Sequence, residues 1–122
     1  MWGWKLPNSV YYLDQLLPHI RNPHFIAVFR NPYSISNSAA ERDKRDYEFQ
    51  FLKIAINHTA KVVDLIGKTT VPTALVSFEA SRRSSREFVE SVAGFIGLEK
   101  NDLKIEDALE HAINKKSDYV TF

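Results

Sequence analysis

Arg30, Ser34 and Ser38 have the side-chain types and the spacing that can hold an anion. Arg30 carries a rigid fork of N–H donors suited to phosphate. It closes the apolar run Phe25-Ile26-Ala27-Val28-Phe29 and is followed at once by Asn31-Pro32. Asn is a good helix N-cap and Pro a good first helical residue, so a helix is expected to start here and run through Ser34 to about Arg42. A helix N-terminus at the carboxyl end of a strand offers free backbone N–H groups and a partial positive charge. Ser38 stands eight residues after Arg30 and one turn after Ser34, which puts the two hydroxyls on one helix face. In open α/β sheets, ligands collect at the carboxyl ends of the strands. The plain alternatives are a surface salt bridge for Arg30, with Glu79 or Asp46, and a hydroxyl bonded back to a helical carbonyl for Ser38.

The remaining reactive groups give less. Lys5 precedes Leu6-Pro7 and is either a solvated strand-end lysine or a cation directed at a ligand. Arg82, Arg83 and Arg86 form a basic run, read as a solvated loop or as a contact for an anionic substrate. His19, His24, His58 and His111 show no metal-ligand spacing with carboxylates, so no metal site is expected. There is no cysteine, which excludes disulfides, thiol chemistry and cysteine-based zinc sites. Trp2 and Trp4 are read as core or contact residues, with stacking on a flat ring as the alternative.

These residues need elements to hold them. Phe25–Phe29 is of strand length and apolar throughout, the pattern of a parallel strand buried on both faces. Thr73–Phe78 is a second strand candidate after Pro72. Before them, Asn8 or Ser9 caps a helix that aligns Val10, Leu13, Leu16 and Leu17, and Asn22-Pro23 reads as a turn. Between them, Tyr47–Ile66 is the longest helical pattern, with Phe51, Leu52, Ala55, Thr59, Val62, Val63 and Ile66 in one stripe and Gly67 as its stop. Ser84-Ser85-Arg86-Glu87 reads as a capping box for a helix through Ile96, ended by Gly97, and a last helix is expected from about Asp102 to Lys115. Strands separated by helices imply an α/β domain with a parallel sheet. Two strands make a poor sheet, so Trp2–Lys5 is the expected third.

The bulk numbers set limits. A chain of 122 residues suits one small domain with a modest core, taken here as residues 1–122. A net charge of +1 gives no overall attraction to nucleic acid or an anionic membrane, so any anion site must be local. No apolar run approaches the roughly 18 residues of a membrane span, and Met1–Lys5 has no signal-peptide pattern. With no cysteine, these features give the expectation of a cytoplasmic protein without membrane contact.

The run Trp4-Lys5-Leu6-Pro7, the aromatic-rich segment after it, Phe25 through Pro32, and Ser38 resemble the middle of a sulfotransferase that uses 3′-phosphoadenosine 5′-phosphosulfate. Thr73–Glu79, the basic stretch and the helix ending Phe95-Ile96-Gly97-Leu98 are similar to that family's later strand and helix. The resemblance covers roughly residues 2 to 98. In the family, a strand ends in Arg followed by Asn or Asp, and a Ser eight residues after the Arg joins it on the donor's 3′-phosphate. The resemblance thus implies that Arg30 and Ser38 bind that phosphate in the donor or in its product, adenosine 3′,5′-bisphosphate.

The departures are equally specific. The family opens with a strand, a loop carrying Lys or Arg, and a helix that together cradle the 5′-phosphosulfate, and nothing before Trp2 matches them. The expectation is therefore a truncated sulfotransferase domain of P-loop-type fold, a short parallel sheet flanked by helices, that keeps the 3′-phosphate half-site and does not turn over alone. The family's base is often a His before Leu-Pro, where this chain has Lys5. A lysine there binds the donor or leaving group electrostatically, or acts as a base with a much lowered pKa. The family's Gly-containing basic loop over the 3′-phosphate has no match, Lys115-Lys116 being a distant substitute. Implied partners are the nucleotide donor, an unspecified hydroxyl or amine acceptor, and a second copy of the chain pairing at the edge left by the missing strand.

Overall fold

The computed structural model describes residues 3–5, 7–98, 106, 107 and 110. The chain is α/β, with a two-stranded parallel sheet and a crossover of two helices between its strands. Strand β1 is Phe25–Phe29 and strand β2 is Thr73–Ser77. They pair in register from Phe25 opposite Thr73 to Phe29 opposite Ser77, and Phe25 N–H extends the ladder to the Pro72 carbonyl. Helix α2, Pro32–Arg42, follows β1, and helix α3, Phe49–Lys68, returns the chain to β2.

The N-terminal helix pattern is realised only in fragments. A 3-10 turn at Pro7–Tyr11, a single α turn at Leu13–Leu16 (α1) and another 3-10 turn at Leu17–His19 replace one continuous helix. Tyr12 breaks the path at φ −137°. Pro18 ends it, because a proline lacks the N–H for the i−4 carbonyl and its ring crowds that carbonyl. Ser9 does not cap a helix. It is buried in the 3-10 turn and its Oγ accepts the Trp4 indole N–H at 3.0 Å. Tyr11 docks this turn on α3, with its ring 5.9 Å from that of His58 and 5.2 Å from the Lys61 ammonium.

The helix pair α2–α3 holds most of the core. Ala40 of α2 and Phe51 and Ala55 of α3 are buried, and small residues let the two helices approach closely. Burying a side chain such as Phe51 contributes about 2 kcal/mol. Ser36, only 1% exposed, donates to the Tyr33 carbonyl at 2.7 Å and pairs with the Tyr47 hydroxyl at 3.0 Å, so this buried hydroxyl is satisfied. Leu52, Thr59, Val62 and Ile66 of the expected stripe are half-buried, but Val63 is exposed. It lies about 120° around the helix from Phe51, outside the width of one buried face. Gly67 does not stop α3, which continues to Lys68.

Helix α4, Phe78–Arg83, and helix α5, Ser85–Phe95, complete the described elements. The pattern of the sequence made Phe78 the last strand residue and the basic run of Arg82, Arg83 and Arg86 a solvated loop. Instead Ser77 caps a helix by accepting the Ala80 N–H at 3.2 Å. Ser84 stands at the N-cap of α5, but its side chain makes no capping bond. Gly97, at φ +81°, ends α5 in a paired 6→1 and 5→2 arrangement, Leu98 N–H to Ala93 and Gly97 N–H to Gly94. Leu98 packs on Ala93, and His24 meets the Phe95 ring edge-on at 5.4 Å.

Two expectations for the sheet are corrected. Gly3, Trp4 and Lys5 form no strand, so the described sheet has two strands, and Trp2 lies outside the described residues. Strand β1 is not buried on both faces, since Ile26 and Val28 are 42% and 54% exposed. With the register observed, both side chains lie on one face of the sheet, whereas Leu75, 65% exposed, lies on the other. A sheet of two strands is too narrow to cover both sets of side chains with these helices. The helix expected at 102–115 lies largely outside the described residues.

Helix α2 ends in the same double hydrogen bond as α5, Arg45 N–H to Ala40 and Lys44 N–H to Glu41, but its left-handed residue is Lys44, at φ +52°. A side chain with a Cβ is strained there by about 1 kcal/mol relative to glycine. Lys44→Gly is expected to raise the unfolding free energy by up to about 1 kcal/mol in urea titrations; a loss of stability would show that Lys44 is held by contacts stronger than that strain.

Candidate functional site

The register of the sheet decides which residues meet at its carboxyl end. Phe29 lies opposite Ser77, so Arg30 and Asn31 emerge beside Phe78 and Glu79. All four engage one another. The Arg30 guanidinium sits over the Phe78 ring, 4.8 Å from its centroid, in a cation–π contact. Asn31 N–H donates to Glu79 Oε1 at 2.8 Å, a charge-assisted bond across 48 residues of chain. Sequence reasoning missed Phe78 and named Glu79 only as a salt-bridge partner for Arg30, not as the acceptor for Asn31 N–H. The signal for them was in the two equal five-residue strands, which in register bring residues 30–31 alongside 78–79.

Arg30 and Ser38, which the sulfotransferase resemblance pairs, are brought together. Arg30 Nη2 reaches Ser38 Oγ at 3.4 Å, a long contact. The hydroxyl of Ser38 donates to the Ser34 carbonyl at 2.9 Å, so Ser34 and Ser38 do share a helix face. The back-bond expected in the plain reading of Ser38 is present, and the Arg30 contact exists beside it. Among the described residues, the ion pairs do not include Arg30 with Glu79 or Asp46. Arg30 is half-buried, with its fork aligned between the Phe78 ring and the first turns of α2.

The helix start itself differs from expectation. The sequence suggested free N–H groups at the beginning of α2. Asn31 Oδ1 accepts from Tyr33 N–H at 2.9 Å and Ser34 N–H at 3.3 Å. Pro32 has no N–H, and Asn31 N–H belongs to Glu79. The donors of this helix start are thus satisfied internally, and a carboxylate already occupies the place that favours negative charge. The capacity to hold an anion rests on the Arg30 fork and the Ser38 hydroxyl. The hydroxyl must turn from Ser34 to donate to a ligand.

Lys5 is exposed, and no hydrogen bond or ion pair joins it to Arg30 or Ser38. The 3-10 turn that follows it packs on α3. Arg82, Arg83 and Arg86 do not form a loop, as they fall on α4 and α5. Arg86 pairs with Glu90 at 3.8 Å and Glu106 at 3.7 Å. Among the described residues, no group of three or more His, Cys, Asp or Glu could hold a metal ion, and no helix is long and apolar enough to cross a membrane.

Asn31→Ala removes one cap bonded to two N–H groups and is expected to cost about 1 kcal/mol in urea unfolding. Glu79→Gln keeps an acceptor for Asn31 N–H and should cost less than Glu79→Ala; equal losses would mean that the charge, not the hydrogen bond, fastens the strand ends.

Comparisons of the chain with family models, with curated proteins and with solved structures each find no match.

Proposed function

We propose that this chain is a sulfotransferase-like protein that retains the 3′-phosphate half of a site for 3′-phosphoadenosine 5′-phosphosulfate or adenosine 3′,5′-bisphosphate. The observation that carries the reading is the approach of Arg30 Nη2 to Ser38 Oγ, a cation and a hydroxyl side by side at the carboxyl end of a strand. Their chemistry fits one phosphate group. The planar fork can take two phosphate oxygens and the hydroxyl a third. The Phe78 ring backs the guanidinium, which limits its rotamers before a ligand arrives and so lowers the entropy lost on binding.

The activity implied for a complete site is in-line sulfuryl transfer to a hydroxyl or amine. In that chemistry positioning and charge stabilisation dominate, by analogy with phosphoryl transfer. Arg30 and Ser38 would hold the nucleotide end of the donor, far from the reacting sulfur. Lys5 is the cation proposed for the donor or leaving group. The 5′-phosphosulfate needs a second set of donors, and beyond Arg30 itself the described residues offer no further basic loop between a strand and a helix to supply one. The chain alone is therefore assigned binding without turnover.

Calorimetric titration with adenosine 3′,5′-bisphosphate tests this. Binding is expected in the parent chain, with a loss of about tenfold or more in Arg30→Ala and a smaller loss in Ser38→Ala. Equal binding by the parent and Arg30→Ala, or none by either, would remove the half-site. Sulfuryl transfer by the chain alone would contradict the assignment of binding without turnover.

One observation favours a second reading, an interaction domain that pairs with another copy of itself. The sheet exposes Ile26 and Val28 on one face and Leu75 on the other. Light scattering that finds only monomer across a wide concentration range would eliminate it.

A further inference from the structure

We propose that Ser84 is a phosphorylation site for a serine kinase that reads arginines just before its acceptor. The inference does not draw on the Arg30 site. The acceptor sits in Arg82-Arg83-Ser84-Ser85-Arg86, with two arginines immediately before it and one two residues after. Kinases of this class select substrates by charge, holding such arginines in acidic pockets so that the following hydroxyl meets the nucleotide. Three observations in the fold make Ser84 the serine that is presented. It lies at the bend between α4 and α5 and is exposed. Its side chain makes no capping bond, so its hydroxyl is not engaged at the start of α5, while its backbone is bonded to Ala80 and Phe88. Ser85, by contrast, is half-buried and donates to the Ser81 carbonyl at 3.2 Å.

The surroundings suit the product. Ser84 lies in a shallow, solvent-open dip lined also by Arg83, Ser85, Arg86, Glu87 and Glu90. The dip leaves room for a phosphate, and two guanidinium groups stand beside it. Arg86 is held by long contacts of 3.8 and 3.7 Å to Glu90 and Glu106, with more than half of its side chain in solvent. Such exposed pairs contribute little, so Arg86 can exchange them for the phosphate. A phosphoserine opposite an arginine cluster gains charge-assisted hydrogen bonds and orders the segment that carries it. In the transfer, Ser84 Oγ attacks the γ-phosphorus of a nucleoside triphosphate. The Oγ–P bond forms as the bond from that phosphorus to the β-phosphate oxygen breaks. The hydroxyl proton goes to the kinase base and the nucleoside diphosphate leaves.

The test is to incubate the folded full chain with an arginine-directed serine kinase and labelled ATP, then map the label by mass spectrometry. One phosphate is expected, on Ser84. It should vanish in Ser84→Ala, fall to background in the doubly substituted Arg82→Ala/Arg83→Ala chain, and persist in Ser85→Ala. Circular dichroism establishes that each variant is folded. The modified chain should melt above the unmodified one at low salt, with the gap narrowing as salt is added. No labelling of the folded chain, label on Ser85, or undiminished labelling without Arg82 and Arg83 would each overturn the proposal.

Discussion

The in-register pairing of two short parallel strands is the constraint from which the rest of the site follows. Because Phe25–Phe29 and Thr73–Ser77 have equal length and zero offset, their carboxyl ends are level. Everything that leaves those ends is set side by side, Arg30 against Phe78 and Asn31 against Glu79. A shift of one residue would turn each strand's side chains to the opposite face and separate these pairs. The crossover then fixes Ser38, since α2 begins directly at the strand end and one turn separates Ser34 from Ser38.

The carboxyl end of the sheet is also a place of competition for charge. A helix start draws anions, and here Glu79 from the neighbouring strand end supplies one within the molecule. The residue that fastens the two strand ends is thus negative, close to residues suited to a negative ligand. The arrangement keeps the guanidinium and the helix start in separate roles. Glu79 and Asn31 satisfy the backbone, and Arg30 and Ser38 are left to side-chain chemistry. This division could not have been reasoned from the Asn31-Pro32 signature alone, which describes a helix start but not what faces it.

Legibility in the sequence tracked how local each determinant is. The bounds of β1 and the start of α2 were readable because five apolar residues, an arginine and Asn-Pro act within one short window. The Arg30–Ser38 approach was expected from the family resemblance, and a strand followed directly by a helix is what brings the two side chains together. Helix α4 was not, since six residues carry too little periodicity and its cap, Ser77, read as a strand residue. The N-terminal helix failed for a different reason, as an apolar period registers neither the backbone break at Tyr12 nor the missing N–H of Pro18. Exposure of Ile26, Val28 and Leu75 depends on how many strands and helices are available to cover them, a property of the assembled fold.

The bond between Asn31 and Glu79 spans 48 residues, and that span has a kinetic meaning. Helices α2 and α3 are joined by the short segment 43–48, so their packing closes a small loop and forms on local contacts. Docking β2 and α4 across the same span in an unstructured chain carries a larger entropic cost than it does once α2 and α3 are packed. The junction of Arg30, Phe78 and Glu79 therefore depends on long-range contacts, whereas the packing of α2 on α3 depends on local ones. Any change that loosens β2 or α4 is expected to part these residues without touching the α2–α3 contacts.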